Sequence, residues 1–203
     1  MNLTPEERVE ILERQLHDQG HIDPDTIDAH ITAIEEATED GTGPSTALGA
    51  KVVARAWNDP QFRARLLDDA VAAVAEYASQ AVPLAVLADT EAVHHVIVCT
   101  LCSCYPSGLL GNPPAWYKSF EYRSRVVREP RAVLAEFGME LPEDMALHVH
   151  DSTAEQRYLV LPMRPAGTQG WSEERLAALV TRDSMVGTGW PLSHRGGGRT
   201  RGS

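Results

Sequence analysis

Apolar side chains recur at three- and four-residue intervals along the first part of the chain, as they do on one face of an amphipathic helix. The segment Thr4-Pro5-Glu6-Glu7 is typical of a helix start, because a threonine N-cap precedes a first-turn proline and a glutamate completes the capping box. Gly41-Thr42-Gly43-Pro44 is a clear break. The pattern predicts four helices, over residues 5–19, 23–34, 45–57 and 60–77.

The second half of the chain alternates short apolar runs with turns and helical segments. Strands are predicted over 83–87, 96–98, 146–151 and 158–161, and the last two are expected to pair as a hairpin around Ser152-Thr153. A loop is predicted over 108–114, and helices are predicted over 116–137, broken at Pro130, and over 172–181.

These elements predict an α+β fold. A helical N-terminal arm (1–40) leads into a layered core domain (41–190), in which a small mixed sheet is flanked by helices. Residues 191–203 are expected to form a disordered tail, since they include three consecutive glycines and several arginines.

Charge is concentrated in the arm. Residues 1–40 carry twelve acidic side chains against two arginines, a net charge of −10 out of −11 for the whole chain. Such a chain is a poor ligand for nucleic acid, whose phosphates repel it. The acidic segment is either a solvated helix face or an arm that lies on a partner subunit. We see neither a membrane-spanning apolar run nor a signal peptide, so we expect a cytoplasmic location.

The three cysteines lie within six residues, as Cys99, Cys102 and Cys104, which favours metal or redox chemistry over a disulfide scaffold. A zinc site or an iron–sulfur cluster needs a fourth ligand, and the chain has no fourth cysteine. The nearest histidines, His94 and His95, are expected on opposite faces of a strand. Three sulfurs plus the backbone nitrogens of Ser103 and Cys104, if deprotonated, instead supply five ligands of an octahedron. That strong ligand field suits low-spin trivalent cobalt or iron, with the sixth position open to water or substrate.

The stretch Val98-Cys99-Thr100-Leu101-Cys102-Ser103-Cys104-Tyr105-Pro106 resembles the metal-site signature of nitrile hydratase α subunits. Thr100 and Tyr105 resemble the cobalt branch of that family more than the iron branch. The resemblance runs from about residue 4 to residue 187, and further matching segments fall at 49–57, 113–118, 122–125, 129–131, 170–174 and 181–183.

This resemblance implies a layered nitrile hydratase α-chain fold and the hydration of a nitrile to an amide at one Co³⁺ per chain, with iron as the less favoured metal. It implies that Cys99 remains a thiolate while Cys102 becomes a sulfinate and Cys104 a sulfenate. The sulfenate oxygen of Cys104, or a hydroxide on the metal, would attack the nitrile carbon, and Ser103 would supply an amidate and an orienting hydroxyl. The implied partners are a β subunit or separate β-like chains, and an activator protein that matures the centre.

The chain departs from the family pattern at two candidate substrate-binding positions. Ser107 stands where the family usually has a tryptophan that walls the nitrile pocket, so we predict a wider pocket and a bulky, heteroaromatic substrate, such as a nucleoside-like nitrile of the toyocamycin type. Gln80 occupies the position of a family glutamine by ungapped counting, but an ordinary surface glutamine is an equal interpretation. Thiocyanate hydrolase, a relative that also lacks the tryptophan, and a structural zinc module are the alternative functions.

Several other residues have simpler interpretations. Trp57, Trp116 and Trp171 are expected to serve packing. His148 and His150 share one face of a predicted strand and suggest a second metal, but without a nearby cysteine or carboxylate cluster they are interpreted as surface or interface histidines. Arg123 and Arg131 are expected to form interface or loop ion pairs.

Overall fold

The computed structural model describes residues 4–21, 23, 46–78 and 82–193 of the 203-residue chain. The chain divides into two compact units, Met1–Gly43 and Pro44–Ser203. In the described part of the first unit, helix α1 spans Pro5–Asp18 and leaves Ile11 and Leu12 exposed. Residues 24–34 of the second predicted helix (23–34), the break at 41–44 and the last ten tail residues lie outside the described residues. Among the described helices, none combines the length and apolar character that a membrane span requires.

The described elements of the second unit alternate between helices and strands. The first half contains α2 (Thr46–Asn58), α3 (Pro60–Asp68), α4 (Ala70–Val74), β1 (Leu84–Ala88), β2 (Val93–Val98) and α5 (Ser107–Leu110). The second half contains α6 (Ala115–Lys118), α7 (Phe120–Arg125), α8 (Pro130–Glu136), β3 (Ala146–Asp151), β4 (Arg157–Leu161), α9 (Glu173–Ala177) and α10 (Arg182–Val186). The α+β prediction is confirmed. The one-turn helix α5, however, begins just before the predicted loop and occupies its first residues.

The strands form two parallel pairs, and the predicted hairpin is wrong. β1 pairs with β4, from Leu84 opposite Arg157 to Ala88 opposite Leu161. β2 pairs with β3, from Val93 opposite Ala146 to Val98 opposite Asp151. The Ser152 N–H still donates to the Val98 carbonyl at 2.7 Å, so the turn after β3 extends the β2 ladder before the chain enters the other pair. Helices α5–α8 supply the crossover that a parallel β2–β3 pair requires.

The helix predicted over 60–77 is divided at Asp69. The backbone N–H of Asp69 donates to the Arg65 carbonyl and ends α3, while its carboxylate accepts the Ala72 N–H at 3.0 Å and caps α4. A short acidic side chain that binds nearby backbone N–H groups competes with helix continuation, which explains the break. The apolar pattern continues across it, and Phe62, Leu66 and Val74 are all buried.

The hydrophobic core lies between the strand pairs and the helices that cover them. Val96, Val98, Leu159 and Leu161 from β2 and β4 are at most 2% exposed. Helix α2 approaches α5 and α10 closely at Gly49, where an added Cβ would lie 2.8 Å from the Met185 sulfur and 2.9 Å from the Leu109 carbonyl oxygen. We therefore expect a side chain at this position to force the helices apart.

The start of β2 is fixed by a buried polar pair. The Asp89 carboxylate accepts the His95 backbone N–H at 2.9 Å and lies 2.8 Å from His94 Nδ1, and both side chains are 2% exposed. The other His94 ring nitrogen lies 2.9 Å from the Gly187 carbonyl oxygen at the end of α10. Gly187 has a φ of 88°, and a Cβ there would lie 2.0 Å from the His95 carbonyl oxygen, so only glycine fits. These contacts set the register of the strand that leads to the cysteines.

Candidate metal centre

The cysteine loop leaves the buried end of β2 and turns back on itself. Cys99, directly after Val98, is buried, whereas Cys104 is half-buried and Cys102 is exposed. The Cys102 sulfur lies 3.4 Å from the Cys99 sulfur and 3.2 Å from the Cys104 sulfur. All three sulfurs lie within 4.8 Å of one another, close enough to bind a single ion. The loop is therefore buried at Cys99 and accessible to solvent at Cys102.

Backbone N–H groups also point to the sulfurs. The Cys102 N–H donates to the Cys99 sulfur at 3.2 Å. Hydrogen bonds from Cys104 and then Cys99 lower the pKa of Cys102 to about 7, and the backbone N–H groups of Cys104 and Ser103 contribute to this shift. Burial and the hydrogen bond with Cys102 raise the pKa of Cys104 to about 12. Three clustered sulfurs, with the backbone nitrogens of Ser103 and Cys104 between the last two cysteines in the chain, make a donor set that fits a low-spin trivalent metal.

One side of the loop is attached to the neighbouring strand β3. The Asp151 carboxylate at the end of β3 accepts the Thr100 backbone N–H at 2.9 Å and also the Thr100 hydroxyl. Because Asp151 opposes Val98 in the β2–β3 register, parallel pairing brings this carboxylate to the residue that follows Cys99. Sequence reasoning missed Asp151, since no local pattern pairs β3 with β2.

The other side of the loop is held by the helices of the crossover. Tyr117 of α6 donates its hydroxyl to the Cys104 carbonyl at 2.8 Å. Arg123 of α7 donates to the Cys102 carbonyl at 3.2 Å. The described hydrogen bonds of Arg123 go to backbone carbonyls, so the expected ion pair at an interface stays a prediction. The same holds for Arg131, which donates to the carbonyls of the 141–145 segment.

The remaining candidate residues occupy varied positions. Ser103 is exposed at the tip of the loop, and Ser107 is the exposed first residue of α5, directly after the loop. Gln80 lies outside the described residues. The expectation that His94 and His95 point to opposite faces of β2 is confirmed, because His94 is buried beside Asp89 whereas His95 is partly exposed near His150.

The aromatic residues near the loop serve packing. Trp116 packs edge-on against Tyr122 and Phe137, with ring centroids 4.9 Å and 4.8 Å apart, which confirms its predicted role. Tyr105 packs edge-on against Tyr117 at 4.9 Å, and burial raises the pKa of both phenols. Trp57 packs against the core and donates to the Pro162 carbonyl at 2.8 Å.

Comparison with known protein families matches residues 4–189 to the family "Nitrile hydratase, alpha chain". A nitrile hydratase α subunit from a Rhodococcus species is 53% identical over 90% of this chain and 90% of its own length. The low-molecular-weight cobalt-containing nitrile hydratase α subunit of Rhodococcus rhodochrous is 51% identical over 92% of this chain and 88% of its own length.

More distant relatives match the chain in sequence or in structure. The γ subunit of thiocyanate hydrolase from Thiobacillus thioparus is 45% identical over 73% of this chain and 66% of its own length. Among solved structures, an iron-type nitrile hydratase from Comamonas testosteroni Ni1 with two histidine-to-alanine substitutions superposes with a TM-score of 0.79 at 37% identity, covering 98% of this chain and 97% of that chain.

Proposed function

The chain belongs to the nitrile hydratase α-chain family, whose enzymes hydrate nitriles to amides, and we propose that it does so at a Co³⁺ ion held by Cys99, Cys102 and Cys104. The observation that carries the proposal is the convergence of three sulfurs within 4.8 Å at the end of β2. A structural zinc module is disfavoured, since no fourth protein ligand accompanies the cysteines in the group of metal-binding side chains found among the described residues.

Two observations favour cobalt over iron. Cobalt-containing nitrile hydratase α subunits from Rhodococcus rhodochrous and Pseudonocardia thermophila are each 51% identical to this chain. Thr100 and Tyr105 also resemble the cobalt branch in the loop itself. We propose further that Cys102 and Cys104 carry the sulfinate and the sulfenate and that Cys99 remains a thiolate, consistent with the exposed position of Cys102 and the buried position of Cys99.

The proposed reaction adds one water across the C≡N bond. Bound cobalt supplies a Lewis acid that polarises the nitrile. Oxygen forms a bond to the nitrile carbon, the water protons end on nitrogen, and nothing is oxidised or reduced overall. The attacking oxygen would be the Cys104 sulfenate oxygen or that of an activated water. In the first case the Cys104 sulfur–oxygen bond would break and the oxygen of the incoming water would restore it. Tyr117 fixes the Cys104 carbonyl, and Ser103 would supply an amidate and a hydroxyl that orients substrate or water.

The proposal includes a β subunit, or separate β-like chains, as partner, an activator protein that matures the centre, and a cytoplasmic location. Ile11 and Leu12 are exposed on α1, a helix with five acidic side chains against two arginines, and this exposure supports a docking role for residues 1–40. Removing residues 1–40 is expected to weaken co-elution with the β subunit on gel filtration more than cobalt binding. An unchanged complex would contradict the docking role.

We propose that Ser107 widens the nitrile pocket for a bulky heteroaromatic substrate. Gln80 is a further candidate for contact with that substrate. Ser107 is exposed at the start of α5, directly after the loop, and its hydroxymethyl group is much smaller than an indole. Equal turnover of acrylonitrile and a large aryl nitrile would contradict this preference. The Ser107→Trp substitution should lower the turnover of the large aryl nitrile by roughly tenfold relative to that of acrylonitrile, because the pocket would lose room for part of the larger substrate.

Thiocyanate hydrolysis is the second candidate, favoured by the 45% identity to a thiocyanate hydrolase subunit. The decisive experiment is elemental analysis and intact mass of the chain purified with its β partner, followed by assays with a nitrile and with thiocyanate. One cobalt per chain, a gain of about three oxygen atoms on Cys102 and Cys104, and amide formation support the proposal. Cobalt with thiocyanate turnover but no amide would favour the alternative, and zinc without added oxygen after cobalt supply would contradict both.

A further inference from the structure

Three histidines share one face of the β2–β3 pair, apart from the cysteine loop. His95 of β2 stands directly opposite His148 of β3 in the parallel register, and His150 lies two residues further along β3. Alternate residues of a strand face the same side, so His148 and His150 point the same way and His95 joins them across the pair. The sequence interpretation considered His148 and His150 alone, because His95 and His150 are 55 positions apart.

The three imidazoles converge on one another. His95 Nδ1 lies 2.9 Å from His150 Nε2, and each of the three rings offers a nitrogen within 4.8 Å of the others. The His95 ring centroid is 5.0 Å from that of His150 and 5.6 Å from that of His148. In the absence of a metal, the close contact between His95 and His150 needs one ring to donate and the other to accept.

These spacings match what a tetrahedral ion requires. With metal–nitrogen distances of about 2.0–2.1 Å, two ligating nitrogens of a tetrahedron lie about 3.3 Å apart. One separation here is 2.9 Å and all three nitrogens lie within 4.8 Å of one another, so the cluster has the dimensions of a site for one ion. An ion would replace the proton that His95 and His150 share.

The environment keeps these rings in their ligating form. Burial, followed by the nearby His95 and His148, lowers the pKa of His150 to about 4. Burial also lowers the pKa of His95, against the opposing effect of Asp89. Neutral imidazole is the form that binds metal, so at neutral pH protons compete weakly for both nitrogens.

The strand pair holds the cluster in place. The His95 backbone N–H is bound to Asp89, and the adjacent Val96, which faces the core, is fully buried. The Tyr158 ring of β4 packs against the His150 ring of β3, with ring centroids 5.3 Å apart. Ligands on paired strands are better preorganised than ligands on a loop, which reduces the ordering cost of binding.

We propose that His95, His148 and His150 form a second metal site, which binds a divalent transition metal of the zinc type through three imidazole nitrogens. An all-nitrogen ligand set disfavours magnesium and calcium, which take oxygen ligands, and suits zinc, nickel or copper. Three protein ligands leave the fourth tetrahedral position open to an exogenous ligand, and the exposed ring of His148 lies on the solvent side of the site.

The test is equilibrium dialysis of the full-length chain against micromolar zinc, with the bound metal counted by elemental analysis. The comparison is with His148→Gln, which changes an exposed side chain and leaves all three cysteines in place. Zinc bound by the cysteines is therefore the same in both proteins and does not contribute to the difference in zinc per chain. We expect the unaltered chain to retain one more zinc per chain, and the variant to bind that ion more than about tenfold more weakly, since losing even an outer-shell partner costs that much. His17→Gln, on exposed helix α1, is the matched control and should retain the extra zinc.

A second measurement on the unaltered chain removes any dependence on how the variant folds. Ring-nitrogen NMR signals of His95, His148 and His150 should shift together at one equivalent of zinc beyond the amount taken up by the cysteines, while those of His17 and His21 stay in place. Equal zinc retention in the unaltered chain and His148→Gln, or unshifted ring signals of the three histidines, would overturn the proposal.

Discussion

The cysteine loop and the histidine face lie on the same pair of strands but are built in different ways. The cysteine loop takes Cys99, Cys102 and Cys104 from six consecutive residues. The histidine face takes its members from β2 and β3, and parallel pairing alone brings them together. Ligands within one loop are visible as a spacing in the sequence, whereas ligands on two strands become visible only once the register is known.

The two regions also differ in what holds them. The histidines stand on paired strands whose backbone is already fixed by the ladder and by Asp89. The cysteine loop has little regular structure, and side chains from three distant elements bind its backbone: Asp151, Tyr117 and Arg123. A loop that supplies its own ligands therefore still depends on distant residues for its shape.

The largest expected effect concerns the backbone nitrogen of Ser103. Proline has no N–H to lose and cannot supply an amidate, so Ser103→Pro should lower cobalt retention by more than about a hundredfold and abolish amide formation. Ser103→Ala keeps the nitrogen and is the matched control, which should retain cobalt. Cobalt per chain by elemental analysis, with circular dichroism to verify folding, is the measurement. Full cobalt retention in the proline variant would exclude amidate ligation at this position.

The sequence predicted the features that depend on local spacing and did not predict those that depend on strand pairing. The C-x-x-C-x-C spacing identified the three sulfurs, and the apolar periodicity located α1, α2 and the four strands. Strand pairing was not predictable, because the turn residues after β3 resemble a hairpin while the buried faces of β3 and β4 match different earlier strands. Asp151 and His95 were consequently missed as partners. The break at Asp69 was also missed, because the helical apolar pattern runs through it.

A smaller effect is expected at Asp151, which connects β3 to the loop. Its two carboxylate oxygens accept two hydrogen bonds from Thr100, and an amide in the same position can accept through one oxygen only. Asp151→Asn should therefore reduce cobalt retention or activity by about 10–100-fold, the usual effect of losing an outer-shell partner. Asp144→Asn, an exposed acidic residue before β3, should have no such effect. Equal cobalt content and activity in the two variants would show that the loop does not depend on Asp151.

A matched tyrosine pair separates the stability of the fold from the shape of the loop. Tyr117 donates to the Cys104 carbonyl at 2.8 Å, and Tyr122 donates to the Ile97 carbonyl in β2 at 2.6 Å; both side chains are buried. Each replacement by Phe leaves one carbonyl without that donor and should lower the free energy of unfolding by about 1 kcal/mol in a urea titration. Only Tyr117→Phe should also weaken cobalt retention. A similar loss of cobalt in Tyr122→Phe would mean that general destabilisation, not the contact with the loop, controls the metal centre.

The smallest expected effect tests whether the two regions are independent. His148 is exposed on β3, and the described contacts of its ring are with His95 and His150. His148→Gln should therefore leave the cobalt content of the cysteine loop unchanged and alter the free energy of unfolding by no more than about 0.5 kcal/mol in zinc-free buffer, although it removes a zinc ligand from the histidine face. Cobalt per chain and urea midpoints in chelator-treated samples are the measurements. A fall in cobalt that matches the loss of zinc would mean that an ion on the histidine face fixes β3, and with it Asp151, against the loop. The two metal sites would then be coupled, because metal binding by the histidines on β2 and β3 would affect cobalt binding by the cysteine loop.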